Sequence, residues 1–138
     1  MKYSPPVSDI MSKSIVALKR SDDLERADML FNKYRIKHIP VVSSDVVIGM
    51  LSFADLLKIS TAETGEDGNS IHVTVKNNFT IEQVMSRDII AIPSSTTIRK
   101  ASEILSKREF HALPVVDEGI LVGIVTTRDL LNYFSTQY

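Results

Sequence analysis

An α/β fold of two pseudo-symmetric repeats, each a small β-sheet covered by helices, is what this 138-residue sequence predicts. Three observations carry it. Met11-Ser12-Lys13-Ser14-Ile15-Val16-Ala17 returns as Met85-Ser86-Arg87-Asp88-Ile89-Ile90-Ala91, and Pro40-Val41-Val42 returns as Pro114-Val115-Val116, at one offset of 74 residues (85 − 11). Residues 11–57 slide onto 85–131 without a gap, so that Gly49 meets Gly123 and Asp55 meets Asp129. Within each copy, helical spacing of apolar residues gives way to short Val- and Ile-rich runs, the mark of a mixed α/β unit. With only two copies, the repeat reads as a pair and not as an open solenoid.

Each copy opens on a short helical turn, Val7-Ser8-Asp9-Ile10-Met11 and Thr80-Ile81-Glu82-Gln83-Val84-Met85, the second carrying a Thr-x-x-Gln capping box. A brief strand follows, at 15–18 and 89–92. Leu24, Ala27, Leu30, Phe31 and Tyr34 then recur at three- and four-residue spacing, as do Ile98, Ala101, Ile104 and Leu105, which is the stripe of an amphipathic helix. Asp22 and Thr96 stand at matching N-cap positions, with Glu25 completing a box in the first copy. Paired β-rich runs at 39–42 and 46–52, and at 113–116 and 120–126, are separated by polar turns and predict a hairpin in each copy. A closing helix starts near Phe53 and Thr127, with Leu56, Leu57, Leu130, Leu131 and Phe134 as its buried face. The domain layout is a first repeat at 5–59, a polar linker at 60–74 and a second repeat at 75–135. Ser60 to Ser70, polar and glycine-bearing, is expected to be a mobile loop. Neither half-size copy is expected to be stable alone.

Sixteen Lys and Arg stand against 17 Asp and Glu with the signs mixed, so there is no basic field for nucleic acid. The absence of cysteine excludes disulfides, thiolate zinc sites and cysteine nucleophiles, and fits a reducing compartment. No apolar run approaches the ~20 residues of a membrane span, and the first residues lack the apolar core of a signal peptide. The expectation is a cytoplasmic protein with no membrane and no nucleic-acid partner.

The most specific string is Gly123-Ile124-Val125-Thr126-Thr127-Arg128-Asp129, echoed by Gly49-Met50-Leu51-Ser52-Phe53-Ala54-Asp55. Each places a hydroxyl where a strand turns into a helix and a carboxylate three residues on. One reading is a capping box. The other uses the same helix start as an anion site, with Thr126 and Arg128 as donors to phosphate and Asp129 as acceptor from ribose hydroxyls. His38 and His111 differ by one place in the repeat, which argues against a paired metal site, and His72 has no spaced partner. With no His-x-x-x-His, nucleophile elbow or glycine-rich phosphate loop, no enzyme activity is expected.

The double block, with its Met-Ser-x-x-Ile opening, its Leu-Pro-Val-Val-Asp core and its Gly-Ile-Val-Thr-x-x-Asp close, resembles a tandem pair of cystathionine-β-synthase (CBS) domains, a Bateman module, over residues 5–135. The resemblance implies two repeats packed about a pseudo-twofold axis, with two clefts that take AMP, ADP or ATP, or in some members S-adenosylmethionine or NAD, as regulatory ligand. No other cofactor is required. Residue by residue, it puts Thr126, Arg128, Asp129, Ile124, His111 and Ala112, with Ile15, Ile36 and Lys37, at the stronger cleft. Ser52, Asp55, Met50, His38, Ile89 and Phe110 fall at the weaker one, where Ala54 replaces the arginine of the other copy. Ala17 and Ala91 stand where many members carry a hydroxyl. The implied function is a stand-alone sensor of adenosine-containing ligands, a homodimer through its helices, regulating a separate, unidentified protein. The alternative is a dimerising interaction protein with vestigial ligand clefts.

Overall fold

The computed structural model describes residues 4–64, 71–75, 79–108 and 110–137. The chain divides into two compact units that do not follow the repeat boundaries. One, the first unit, comprises Val16–Ser43 and Ile48–Arg87; the second takes the chain up to Ile15, Ser44–Val47 and everything from Asp88 onward.

In the first unit, the strand β1 (Leu18–Lys19) pairs in parallel with β2 (His38–Ser43), Leu18 opposite Val41, and β3 (Val46–Ser52) completes the order β1-β2-β3. The helix α1 (Leu24–Tyr34) follows β1 and buries Leu24, Ala27, Leu30 and Phe31, whereas Tyr34 at its end is exposed. α2 (Phe53–Lys58) continues directly from β3 and buries Leu56. Then come β4 (Ser60–Thr64), β5 (Ile71–Val75) and the single turn α3 (Ile81–Val84). β4 and β5 form a five-residue antiparallel ladder, which corrects the expectation of a loop beginning at Ser60. Residues 65–70 lie outside the described residues. Ile71-His72-Val73-Thr74-Val75 alternates apolar and polar residues at the period of a strand and was an available signal, whereas Ser60-Thr61-Ala62-Glu63-Thr64 carries no such pattern and joins the ladder through backbone groups.

The second unit opens on a 3-10 turn, Val7–Asp9, and holds α4 (Ile98–Lys107), β6 (Ala112–Asp117), β7 (Ile120–Thr126) and α5 (Thr127–Gln137). β6 and β7 are antiparallel, with a bulge after Val115. The strand expected at 89–92 is reduced to one parallel bridge from Ile92 to Val115, and the one expected at 15–18 to the two residues of β1. Both hairpins turn on two residues with positive φ, Ser44 and Asp45 in one and Glu118 and Gly119 in the other, the type I′ geometry that suits the twist of paired strands.

The buried residues form two clusters, one per unit, and each cluster is completed by the opening turn of the other repeat. Val7 is 0% exposed in the cluster with Ile98, Leu113 and Val125; Ile81 is 0% exposed in the cluster with Leu24, Ile39 and Leu51. Each contributes roughly 1.5–3 kcal/mol of apolar burial. Backbone bonds hold the exchanged segments: the Val7 amide donates to the Thr96 carbonyl at 2.7 Å, and Ser12 and Ile124 exchange amide–carbonyl bonds at 2.9 and 3.2 Å. Met50 and Ser86 repeat that exchange at 2.9 Å in both directions. The close approach explains the paired glycines, since a Cβ at Gly49 would lie 2.5 Å from the Met85 sulfur and one at Gly123 2.6 Å from the Met11 sulfur.

Two local expectations are corrected. The helix caps are Asp23 and Thr97, one residue later than Asp22 and Thr96, so the N3 residue of α1 is Arg26 and Glu25 does not complete a box. Asp22 instead accepts from the Lys19 amide at 2.7 Å, closing the turn before the helix. On the closing helices Leu56 and Leu130 are buried, but Leu57, Leu131 and Phe134 are exposed, because a helix with one covered side buries a stripe and leaves the next residue outside it.

Candidate functional site

The Gly-to-Asp strings form a strand-to-helix corner in each unit. In the second unit, the Thr126 amide donates to Asp129 Oδ2 at 2.8 Å, and the Asp129 amide donates to Thr126 Oγ1 at 3.2 Å. In the first, the Asp55 amide donates to Ser52 Oγ at 3.0 Å and the Ser52 amide to Asp55 Oδ2 at 3.4 Å. Both aspartates therefore close capping boxes, the structural reading of the tetrad.

The next amide is also committed. Thr127 donates its N–H to the His111 carbonyl at 2.9 Å, with its hydroxyl at 3.4 Å from the same oxygen; Phe53 donates its N–H to the Lys37 carbonyl at 2.8 Å. The Arg128 amide lies too early in α5 to have a helical acceptor and is one of the orphan donors of the first turn. At this end of an 11-residue helix the dipole favours negative charge. Among the described residues nothing engages Asp129 Oδ1, and the exposed Arg128 guanidinium forms no ion pair. Capping thus leaves one carboxylate oxygen, the Thr126 hydroxyl proton, an amide and a guanidinium for a polar ligand.

Ile124 is half-buried, Ala112 is buried opposite Thr126 in the ladder and His111 is exposed at its edge, so these three lie at the same corner. Ile15, half-buried, belongs to this unit as well. Ile36 and Lys37 belong to the first unit, where the Lys37 ammonium stands 4.5 Å from the centre of the Phe53 ring, itself edge-on to Phe31 at 5.5 Å. Ser52, Asp55, Met50 and His38 share the first unit, whereas Ile89 and Phe110 belong to the second, Phe110 packing against its core. The sequence reading missed Lys58, whose ammonium is 3.7 Å from Asp55 Oδ1; acid and base three apart on one helix were the available signal.

Two further carboxylates are tuned by their surroundings. The side-chain hydrogen bond from Arg20 holds Glu82 below the usual carboxylate range, with Arg87 adding to it. Hydrogen bonds from the Ser94 hydroxyl and amide do the same for Asp117. Both tie neighbouring segments within one unit. Among the described residues there is no cluster of three or more His, Cys, Asp or Glu that could hold a metal ion, and no helix long and apolar enough to cross a membrane.

Comparison with known proteins matches the CBS domain model twice, at residues 7–62 and 81–136. The protein MJ1426 of Methanocaldococcus jannaschii is 32% identical over 151 aligned positions, covering 91% of this chain and 89% of that one. The CBS domain-containing protein YhcV of Bacillus subtilis is 28% identical over 132, covering 95% of this chain and 87% of its own. MJ1225 of M. jannaschii is 26% identical over 134, but the chain spans only 47% of its length. Among solved structures, the CBS domain pair of protein MJ0100, in complex with 5′-methylthioadenosine and S-adenosyl-L-methionine, superposes with a TM-score of 0.75 at 26% identity, covering 94% of this chain and 98% of that one. CBSX2 in complex with AMP has the same fold, with a TM-score of 0.78 at 21% identity over 96% of this chain and 97% of its own.

Proposed function

The chain belongs to the CBS-domain family, and from that premise we propose that it is a ligand sensor that binds an adenosine-containing molecule at the Thr126–Asp129 corner and modulates a separate protein. The observation that carries this reading is the divided use of Asp129: Oδ2 closes the cap while Oδ1 is left to accept from ribose hydroxyls, with Arg128 beside it for a phosphate or carboxylate. The ligands named for the MJ0100 pair, a protein 26% identical, support the class. Ile124, His111, Ala112 and Ile15 would line the nucleoside, with Ile36 and Lys37 contributing on the resemblance alone. The Ser52–Asp55 corner, with Met50, His38, Ile89 and Phe110, is proposed on the same footing as the weaker site. Action in the cytoplasm as a homodimer, through exposed apolar residues such as Leu57, Leu131 and Phe134, completes the proposal.

A second reading, an interaction protein with vestigial sites, is favoured by one observation: the capping boxes account for both aspartates without any ligand. Calorimetry separates the two. AMP, ATP and S-adenosylmethionine should raise the melting temperature, by the equivalent of about 2.7 kcal/mol at roughly 100 times the dissociation constant. Asp129→Ala should cost about 1.5–3 kcal/mol of binding, the range for hydrogen bonds to a charged group. Arg128→Ala should weaken AMP more than adenosine. No stabilisation by any of these compounds at millimolar concentration supports the interaction reading, and affinities unchanged by both substitutions place the ligand elsewhere.

A further inference from the structure

The end of α1 carries positive charge that no neighbour in the chain answers. Between Asp28 and Asp45 no acidic residue stands, while Lys33, Arg35 and Lys37 do, in a chain whose net charge is −1. All three are exposed, and none forms an ion pair among the described residues. The Lys33 ammonium lies 5.3 Å from the centre of the Tyr34 ring, itself 48% exposed, and the Lys37 ammonium lies over Phe53. An aromatic face attracts a cation without neutralising it, so the charge of the patch remains open. Arg35 adds a backbone observation. Among the described residues it is the one with positive φ outside the hairpin turns, at φ 52° and ψ 42°. This left-handed position ends α1, and glycine is the usual residue there because it has no Cβ to crowd the following carbonyl. The helix dipole favours a cation at this end, but Lys33 already supplies one in the last turn. The second repeat lacks the arrangement: Arg108 stands in the place of Tyr34, Glu109 in that of Arg35 and His111 in that of Lys37, and α4 ends on Arg108 with extended backbone.

We propose that Lys33, Tyr34, Arg35 and Lys37 form a docking surface for an acidic segment of a partner protein. The proposal gives a chemistry to the separate protein of the sensor reading, and it rests on that reading for the partner's existence. The Arg35 guanidinium suits a carboxylate held through two hydrogen bonds, the two ammonium groups add point charges on either side of it, and the Tyr34 ring offers apolar contact between them. Nucleic acid fits less well. Lys33 covers a face of the Tyr34 ring, which makes it a poor stacking platform, and three cations are too few for a stripe that tracks a phosphate backbone. A lipid surface also fits less well, because α1 turns its apolar residues Leu24, Ala27, Leu30 and Phe31 into the core and keeps none of that stripe for insertion.

The test measures binding of fluorescein-labelled octaglutamate to the full chain by fluorescence anisotropy across a salt series. Binding should be present at low salt and fade as salt rises. Arg35→Gly should weaken it about fivefold, and Lys33→Gln by a similar factor. Arg35→Gly also separates docking from folding: its Tm should hold or rise, because glycine fits the left-handed position, while its affinity falls. Lys107→Gln and Arg108→Gln in the second repeat should leave octaglutamate binding unchanged. An octathymidine strand and phosphatidylserine vesicles are the competing ligands, and tighter binding of either at this patch overturns the assignment to an acidic protein. So does a lower Tm in Arg35→Gly, or octaglutamate affinity equal in the wild type and both first-repeat variants. Stabilisation by adenine nucleotides without octaglutamate binding strikes down this surface and leaves the sensor reading standing; the reverse result upholds the surface and strikes down the sensor.

Discussion

The corner at 49–55 and the corner at 123–129 have the same backbone and different chemistry. In both, a glycine admits the crossing segment, a hydroxyl caps the helix, an aspartate returns the favour, and the first helical amide bonds to the residue before the neighbouring strand. The charges then part. Asp55 is answered within its own helix by Lys58, and the residue before it is Ala54. Asp129 has Asn132 at the place of Lys58, keeps Oδ1 unengaged among the described residues, and has Arg128 before it. Phe53 packs under the Lys37 ammonium where its counterpart Thr127 bonds to the His111 carbonyl. A duplicated corner can thus keep its folding role intact while its solvent-facing charges diverge, because the cap uses one oxygen of each side chain and leaves the rest to vary.

The largest expected effect tests how alike the two crossings are. At both glycines the atom nearest an added Cβ is a flexible methionine sulfur, but the backbone carbonyl, which cannot turn aside, is 2.8 Å away at Gly49 (Ser86) and 3.0 Å away at Gly123 (Ser12). Gly49→Ala should therefore cost about 1–3 kcal/mol, the range for overpacking, and Gly123→Ala less. Urea denaturation of the two variants gives the comparison directly. The reverse order would mean that the methionine side chains, and not the carbonyls, set the tolerance.

A smaller effect tests the shared cap. Ser52→Ala and Thr126→Ala should each lower stability by about 1 kcal/mol, since each removes one acceptor for a first-turn amide. Equal losses on thermal melting uphold the common backbone role; a loss confined to one variant breaks it.

The smallest effect concerns the charge difference. The Lys58 side chain is 76% exposed, so Lys58→Met should change stability by less than about 1 kcal/mol, and the change should shrink as salt rises. A larger, salt-independent loss would make the Asp55–Lys58 pair a structural element and not a surface charge.

Much of this was legible in the residues. The apolar stripe of Leu24, Ala27, Leu30 and Phe31 and the β-branched runs of the hairpins report local periodicity, and each lies where its pattern predicts. The capping box at Thr80 and Gln83 was readable for the same reason, as all of its partners lie within four residues. The α1 and α4 caps came out one residue late because Asp22 and Asp23, and likewise Thr96 and Thr97, offer the same chemistry to adjacent amides. The candidate site was legible as residue types at a corner. Its division of labour, with Oδ2 in the cap and Oδ1 open, was not, because side-chain rotamers leave no trace in spacing.

The sequence by itself determined the duplication, the helices, the hairpins and the hydroxyl-to-aspartate corners, since each depends on contacts a few residues apart that side-chain type can encode. Only the tertiary structure decided which core receives Val7 and which receives Ile81, that 60–64 and 71–75 pair as a ladder, and that Met11 and Met85 close over the two glycines. Those choices rest on apolar burial and backbone bonds between segments far apart in the chain. The two opening turns are apolar in the same way, so either core would take either of them on pattern alone. The folded chain settles it through shape and reach.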